Sequence, residues 1–140
     1  MNITRKGLII RGQRGHPDVR EALKRFAKWL RQEYDFPIRV PVYLNMKYRH
    51  VTIEGEEVSA SFFAPYDRSI EPYIRIATGD YDDLVAKSNK QDALAAYIRS
   101  LAHEVIHYQQ WIVDGRTTEK GVDRKALAIL RRYPQTVDMP

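Results

Sequence analysis

Between Ser88 and Gly115 the chain contains no glycine and no proline. Within that stretch Leu94, Ile98, Leu101, Val105, Tyr108 and Ile112 recur at alternating spacings of four and three. That period places them on one apolar stripe of an α-helix. Ser88 followed by Gln91 three residues later is a capping-box arrangement, and Gly115 is a C-terminal stop. The spacing predicts a long amphipathic helix over about residues 89–113.

This helix carries His103-Glu104-Val105-Ile106-His107. Two imidazoles four residues apart lie one turn apart on the same side of a helix. Their nitrogens can then reach one tetrahedral zinc at about 2.0–2.1 Å. On the helical wheel both point away from the Leu94/Ile98/Leu101/Val105 stripe, and the small residues Ala96 and Ser100 precede them on that face. Glu104 is rotated off their line, where a carboxylate can accept a proton from a water activated by the metal.

A zinc site of this kind needs a third protein ligand and an open fourth position. The chain has no cysteine, so the third ligand must be His, Asp or Glu. Asp114-Gly115-Arg116 reads as a turn, and Thr117 or Thr118 can cap a second helix that runs to Tyr133 before Pro134. Glu119 and Asp123 lie near its start, one turn apart. A helix pair joined by so short a loop returns this segment alongside His107, so either acid could complete the site.

The pattern resembles the gluzincin metallopeptidases, which carry His-Glu-x-x-His on one helix and a zinc-binding Glu on the next. In several of them an Asp four residues after that Glu hydrogen-bonds a ligand histidine. Glu119-Lys120-Gly121-Val122-Asp123 is similar. The resemblance implies zinc held by His103, His107 and Glu119, with Asp123 orienting a histidine and Glu104 as general base. Gly121 departs from the pattern, since family members usually have a helix former there. More distantly the chain resembles the SprT-like protease domain, which is linked to DNA work. It departs from that group in lacking cysteines for a zinc ribbon and in offering an acid rather than a third histidine.

Upstream, Pro17 to Tyr34 reads as a first helix with Val19, Leu23, Phe26 and Leu30 on its apolar face. Residues 38–44 read as a strand in which Pro41 suggests an edge or a bulge. Residues 48–54 and 57–63 flank Gly55 as a hairpin, and residues 72–78 as a last strand. The expected fold is therefore α+β: a minimal zincin-like domain over 1–140. It has an N-terminal helix, a small, mostly antiparallel sheet of three or four strands, the active-site helix and a C-terminal helix. Residues 1–15 are expected to form a flexible basic arm. In such enzymes an edge strand pairs with extended substrate, and the 72–78 strand, with Tyr73 and Arg75, is the expected edge. A second electrophile is expected from Tyr73, Arg75, Tyr81, Tyr108 or Tyr133.

The net charge of +5 is partly concentrated early, with Arg5, Lys6, Arg11 and Arg14 in the arm and Arg20, Lys24, Lys28 and Arg31 on the first helix. Such a stripe is ordinarily a solvated helix face, and nucleic acid or an acidic protein is a lesser reading. The nine tyrosines are scattered and form no readable base-stacking array. No apolar run approaches a membrane span, and residues 1–10 are too weakly apolar for a secretory signal, so a cytoplasmic protein is expected. The expected function is a zinc-dependent metallopeptidase acting on a peptide or protein substrate. The alternative is a non-catalytic, zinc-stabilised binding module whose basic helix face meets an acidic protein or nucleic acid.

Overall fold

The computed structural model describes residues 6–134. Its elements are, in chain order, β1 (Leu8–Arg11), α1 (Pro17–Glu33), β2 (Val40–Asn45), β3 (His50–Val51), β4 (Glu57–Val58), β5 (Ala60–Phe63), β6 (Tyr73–Ala77), α2 (Tyr81–Lys87), α3 (Lys90–Asp114) and α4 (Val122–Arg132). The fold is α+β. A four-stranded sheet has the order β1-β2-β6-β5, and β3 and β4 form a separate two-stranded ribbon.

The sheet is mixed rather than mostly antiparallel. β1, β2 and β6 run parallel, and only β5 is antiparallel, to β6. The reason lies at the N-terminus. Leu8–Arg11 is not part of a flexible arm but a strand, because α1 provides the crossover that a parallel β1–β2 pair requires. Hydrogen bonds from Gly7 N to Phe36 O and from Val40 N to Gly7 O close this unit. Residues 1–5, including Arg5, lie outside the described residues.

Pro41 sits in an interior strand, not at an edge. Val40 donates towards β1, so alternation puts the Pro41 nitrogen on the β6 side. The β2–β6 register begins only at Val42↔Ile74, so no ladder bond is lost there. The expected hairpin also divides. Residues 57–58 pair with 50–51, whereas residues 60–63 leave that ribbon at Ser59 and pair with β6. β6, with Tyr73 and Arg75, is therefore flanked on both sides, and the edge strands are β1 and, next to β6, β5.

α1 and α3 pack against each other and cover one face of the sheet. Leu8, Val40, Val42, Leu44, Ile74 and Ile76 point into that core, against Val19, Leu23, Phe26 and Leu30 of α1 and Leu101, Val105 and Tyr108 of α3. Asn89, not Ser88, caps α3, its side chain accepting from Asp92 N at 2.8 Å. Gly115 ends α3 with φ +77°, a left-handed conformation that favours glycine. No helix among the described residues is long and apolar enough to cross a membrane.

Candidate metal centre

α3 is anchored at depth immediately beyond the two histidines. Tyr108 and Trp111 are fully buried, the Tyr108 hydroxyl donates to Ile38 O, and Trp111 Nε1 donates to Pro65 O at 2.8 Å. The helix turn bearing His103 and His107 is thereby held rigidly against the sheet. α4 returns along α3 by burying Val122, Ala126 and Ile129.

α4 begins later than the Thr117 or Thr118 cap expected, because Gly121 has φ +74° and breaks the helical path. Glu119 is therefore carried by the turn before α4, while Asp123 lies in the first turn of the helix. This also accounts for glycine at 121, where a side chain would be strained.

The turn delivers Glu119 between the two imidazoles. Its Oε1 lies 3.2 Å from His103 Nε2 and its Oε2 lies 2.8 Å from His107 Nε2. The ring centroids are 5.0 Å apart. One ligand atom from each of His103, His107 and Glu119 lies within 4.8 Å of the others, a group that could hold a metal ion. Ligands about 2.0–2.1 Å from a tetrahedral ion stand roughly 3.3 Å from one another, close to the 3.2 Å and 2.8 Å that separate Glu119 from the two rings.

The outer nitrogens of both rings are also engaged. Asp123 Oδ1 lies 3.0 Å from His103 Nδ1, and Gln110 Oε1 lies 3.0 Å from His107 Nδ1. Backbone groups fix the Gln110 amide: Thr118 N donates to Oε1 and Nε2 donates to Thr118 O, both at 3.0 Å. Gln110 Oε1 is thus an acceptor, and His107 Nδ1 must carry a proton. In a neutral ring that leaves Nε2 as a bare lone pair aimed at the Glu119 carboxylate. The same holds for His103 between Asp123 and Glu119. Two lone pairs facing a carboxylate repel unless protons or a cation lie between them, so this donor set fits a divalent cation.

Glu104 is buried at 6% exposure, and no described residue donates a hydrogen bond to it. Burial pushes its carboxyl up to about 7; His103 pulls it down and the Glu119 charge pushes it further up. A carboxyl at about 7 in the folded chain, against an ordinary 4.5, binds its proton more tightly when folded. Its contribution to stability is complete below pH 4.5 and is lost as pH rises through 7, a cost of about 3 kcal/mol. In metal-free protein, Glu104→Gln should abolish this loss. Urea unfolding of the two proteins should diverge by about 3 kcal/mol between pH 4.5 and pH 8. Parallel stability curves would show that Glu104 is not desolvated.

A cleft of about 480 Å³ opens beside the centre, lined by His103, Glu104, Asp123, Arg99, Arg49 and the Glu57–Ala60 segment that leads into β5. The residues expected to supply a second electrophile lie elsewhere. Tyr81 donates to Asp18, Tyr108 to Ile38 O, Tyr133 packs on Phe26 and Trp29, Arg75 bonds Val51 O, and Tyr73 stacks on Phe63. Arg49 and Arg99 are the basic side chains that line the cleft. Arg49 is pre-set: Nη1 donates to Asp80 Oδ2 at 3.1 Å and Tyr48 O at 2.7 Å, and the buried Asp80 is held in turn by the Tyr97 hydroxyl of α3. Nothing in the spacing of Arg49 or Gln110 marks them in the sequence; only the tertiary fold brings Arg49 to the cleft. Comparison of the chain with family models, with curated proteins and with solved structures finds no match.

Proposed function

We propose that the chain is a zinc-dependent metallopeptidase, with His103, His107 and Glu119 holding the ion and Glu104 acting as general base. The observation that carries this reading is the convergence of two Nε2 atoms on one carboxylate, each ring being fixed from behind by an oxygen. Two imidazoles and a carboxylate with an open fourth position suit zinc in a hydrolytic rather than a structural role. When bound, zinc supplies a Lewis acid that acidifies water and polarises a carbonyl.

The chain's own groups supply the rest. Glu104 takes a proton from the attacking water and passes it to the leaving amine nitrogen. Burial raises the proton affinity of its carboxyl in the metal-free chain, and a bound dication would draw it back down, towards a group that can both take and release a proton. The unpaired side of β5 offers backbone groups to an extended peptide, and Ala60 already lines the cleft. Arg49, which lines the cleft with His103 and Glu104, is assigned the stabilisation of charge on the carbonyl oxygen. Arg49→Ala should lower kcat by about 10²-fold with the metal retained and KM little changed. An unaltered kcat would remove Arg49 from the mechanism.

The reading is tested by incubating the zinc-loaded protein with an unfolded protein substrate and sequencing the products. New amino termini should form, cease with a chelator and return with zinc. Stoichiometric zinc without any cleavage, unaffected by Glu104→Gln, would instead favour a zinc-stabilised binding module.

A further inference from the structure

Register places two rows of side chains on the face of the sheet away from α1 and α3. Arg11, Tyr43, Arg75 and Ser61 form one row; Ile9, Pro41, Tyr73 and Phe63 form the next. The fold thus gathers aromatic residues that are scattered along the chain. Tyr73 stacks on Phe63 with ring centroids 4.9 Å apart and meets Tyr43 edge-on at 5.9 Å, and Tyr43 is 43% exposed. The β3–β4 ribbon covers the Ser61/Arg75 end, through His50 and Val51, and its turn at Thr52–Glu54 reaches the pocket lined by Phe63 and Tyr73, leaving Tyr43 as the exposed ring. At the other end a groove of about 540 Å³ is lined by Arg11, Gln13, Arg14, Tyr43, Leu44 and Asn45.

The charged residues that line this groove, Arg11 and Arg14, are both basic. Residues 6–17 contain Lys6, Arg11 and Arg14 and no acid, whereas Arg39 and Arg49 are held by Glu71 and Asp80. The basic stripe on α1 is less available. Arg31 donates to Leu8 O, and Arg20 and Lys24 lie within 4 Å of Glu21. An exposed ring beside unopposed guanidinium groups matches a ligand that alternates flat bases with phosphates.

We propose that this open face binds single-stranded nucleic acid, a base stacking on Tyr43 and backbone phosphates meeting Arg11 and Arg14. An acidic protein would satisfy the arginines but leave the exposed Tyr43 ring without a role. A duplex would satisfy the arginines but hide its base faces. The surface is separate from the metal centre, so the proposal stands or falls independently of the peptidase reading.

The test is fluorescence anisotropy of the full chain with labelled oligo(dT) and oligo(U) 12-mers at 50 mM salt, with and without chelator. Both should bind, equally in either condition, and a duplex of the same length should bind at least tenfold more weakly. Tyr43→Ala should weaken binding about tenfold and Tyr43→Phe should not, since stacking needs the ring and not the hydroxyl. Removing Arg11 and Arg14 should flatten the salt dependence by about 0.7 per arginine. Lys28→Ala, on the exposed side of α1, should change nothing. No binding at 50 mM salt, equal binding of duplex, full displacement by polyglutamate at matched charge, or indifference to Tyr43→Ala would each overturn the proposal.

Discussion

Replacing Glu104 by glutamine is expected to lower kcat on a peptide substrate by about 10²–10⁴-fold while the metal stays bound. Glutamine keeps the shape and can still accept a hydrogen bond, but it cannot take a proton at neutral pH. Glu104 lies outside the His103, His107 and Glu119 group, so ion affinity should survive. Desolvation also works against the native ion in the metal-free protein, so the variant should fold at least as well as the parent. Activity loss with metal and stability intact can then be assigned to the proton transfer itself. Turnover within a factor of three of the parent would exclude Glu104 as the base.

His107→Ala should have a comparably large effect, and on metal-linked stability as well as on rate. His107 is 5% exposed and holds the shorter of the two contacts to Glu119. A site that exists only in the folded chain stabilises it by about 4 kcal/mol when free metal is a thousandfold above Kd. For a chain of this length that raises the melting temperature by on the order of 10 °C. The increment should vanish in His107→Ala. Gln110→Ala should retain a smaller increment, with metal affinity weakened about 10–100-fold, because it leaves the donor in place but frees the ring. A zinc-induced rise in His107→Ala equal to that of the parent would place the ion elsewhere.

The long helix was readable because its period is strong over many turns, and its two histidines follow from that period alone. Glu119 and Asp123 were readable as candidates but not as distinct roles. Their difference depends on Gly121: its positive φ lifts Glu119 out of α4 and turns its carboxylate to both Nε2 atoms, leaving Asp123 behind His103. The strand Leu8–Arg11 was missed because four residues flanked by Gly7 and Gly12 carry no alternation, and its stability comes from β2 and α1. The edge was misplaced because a break at Ser59, invisible as a change of residue type, sends residues 60–63 to β6. Arg49 reaches the cleft only through Asp80 and Tyr97, contacts that span 31 and 17 residues. Local pattern shows periods and caps; it does not show which distant carboxylate will hold an arginine.

Diffraction at the zinc absorption edge, from crystals of the zinc-loaded protein, tests the central claim most directly. The account predicts one anomalous peak about 2.0–2.1 Å from His103 Nε2 and His107 Nε2 and from a Glu119 carboxylate oxygen. Asp123 and Gln110 should remain behind the two rings. A peak at any other group of side chains, or no peak between these imidazoles in protein that retains stoichiometric zinc, would contradict it.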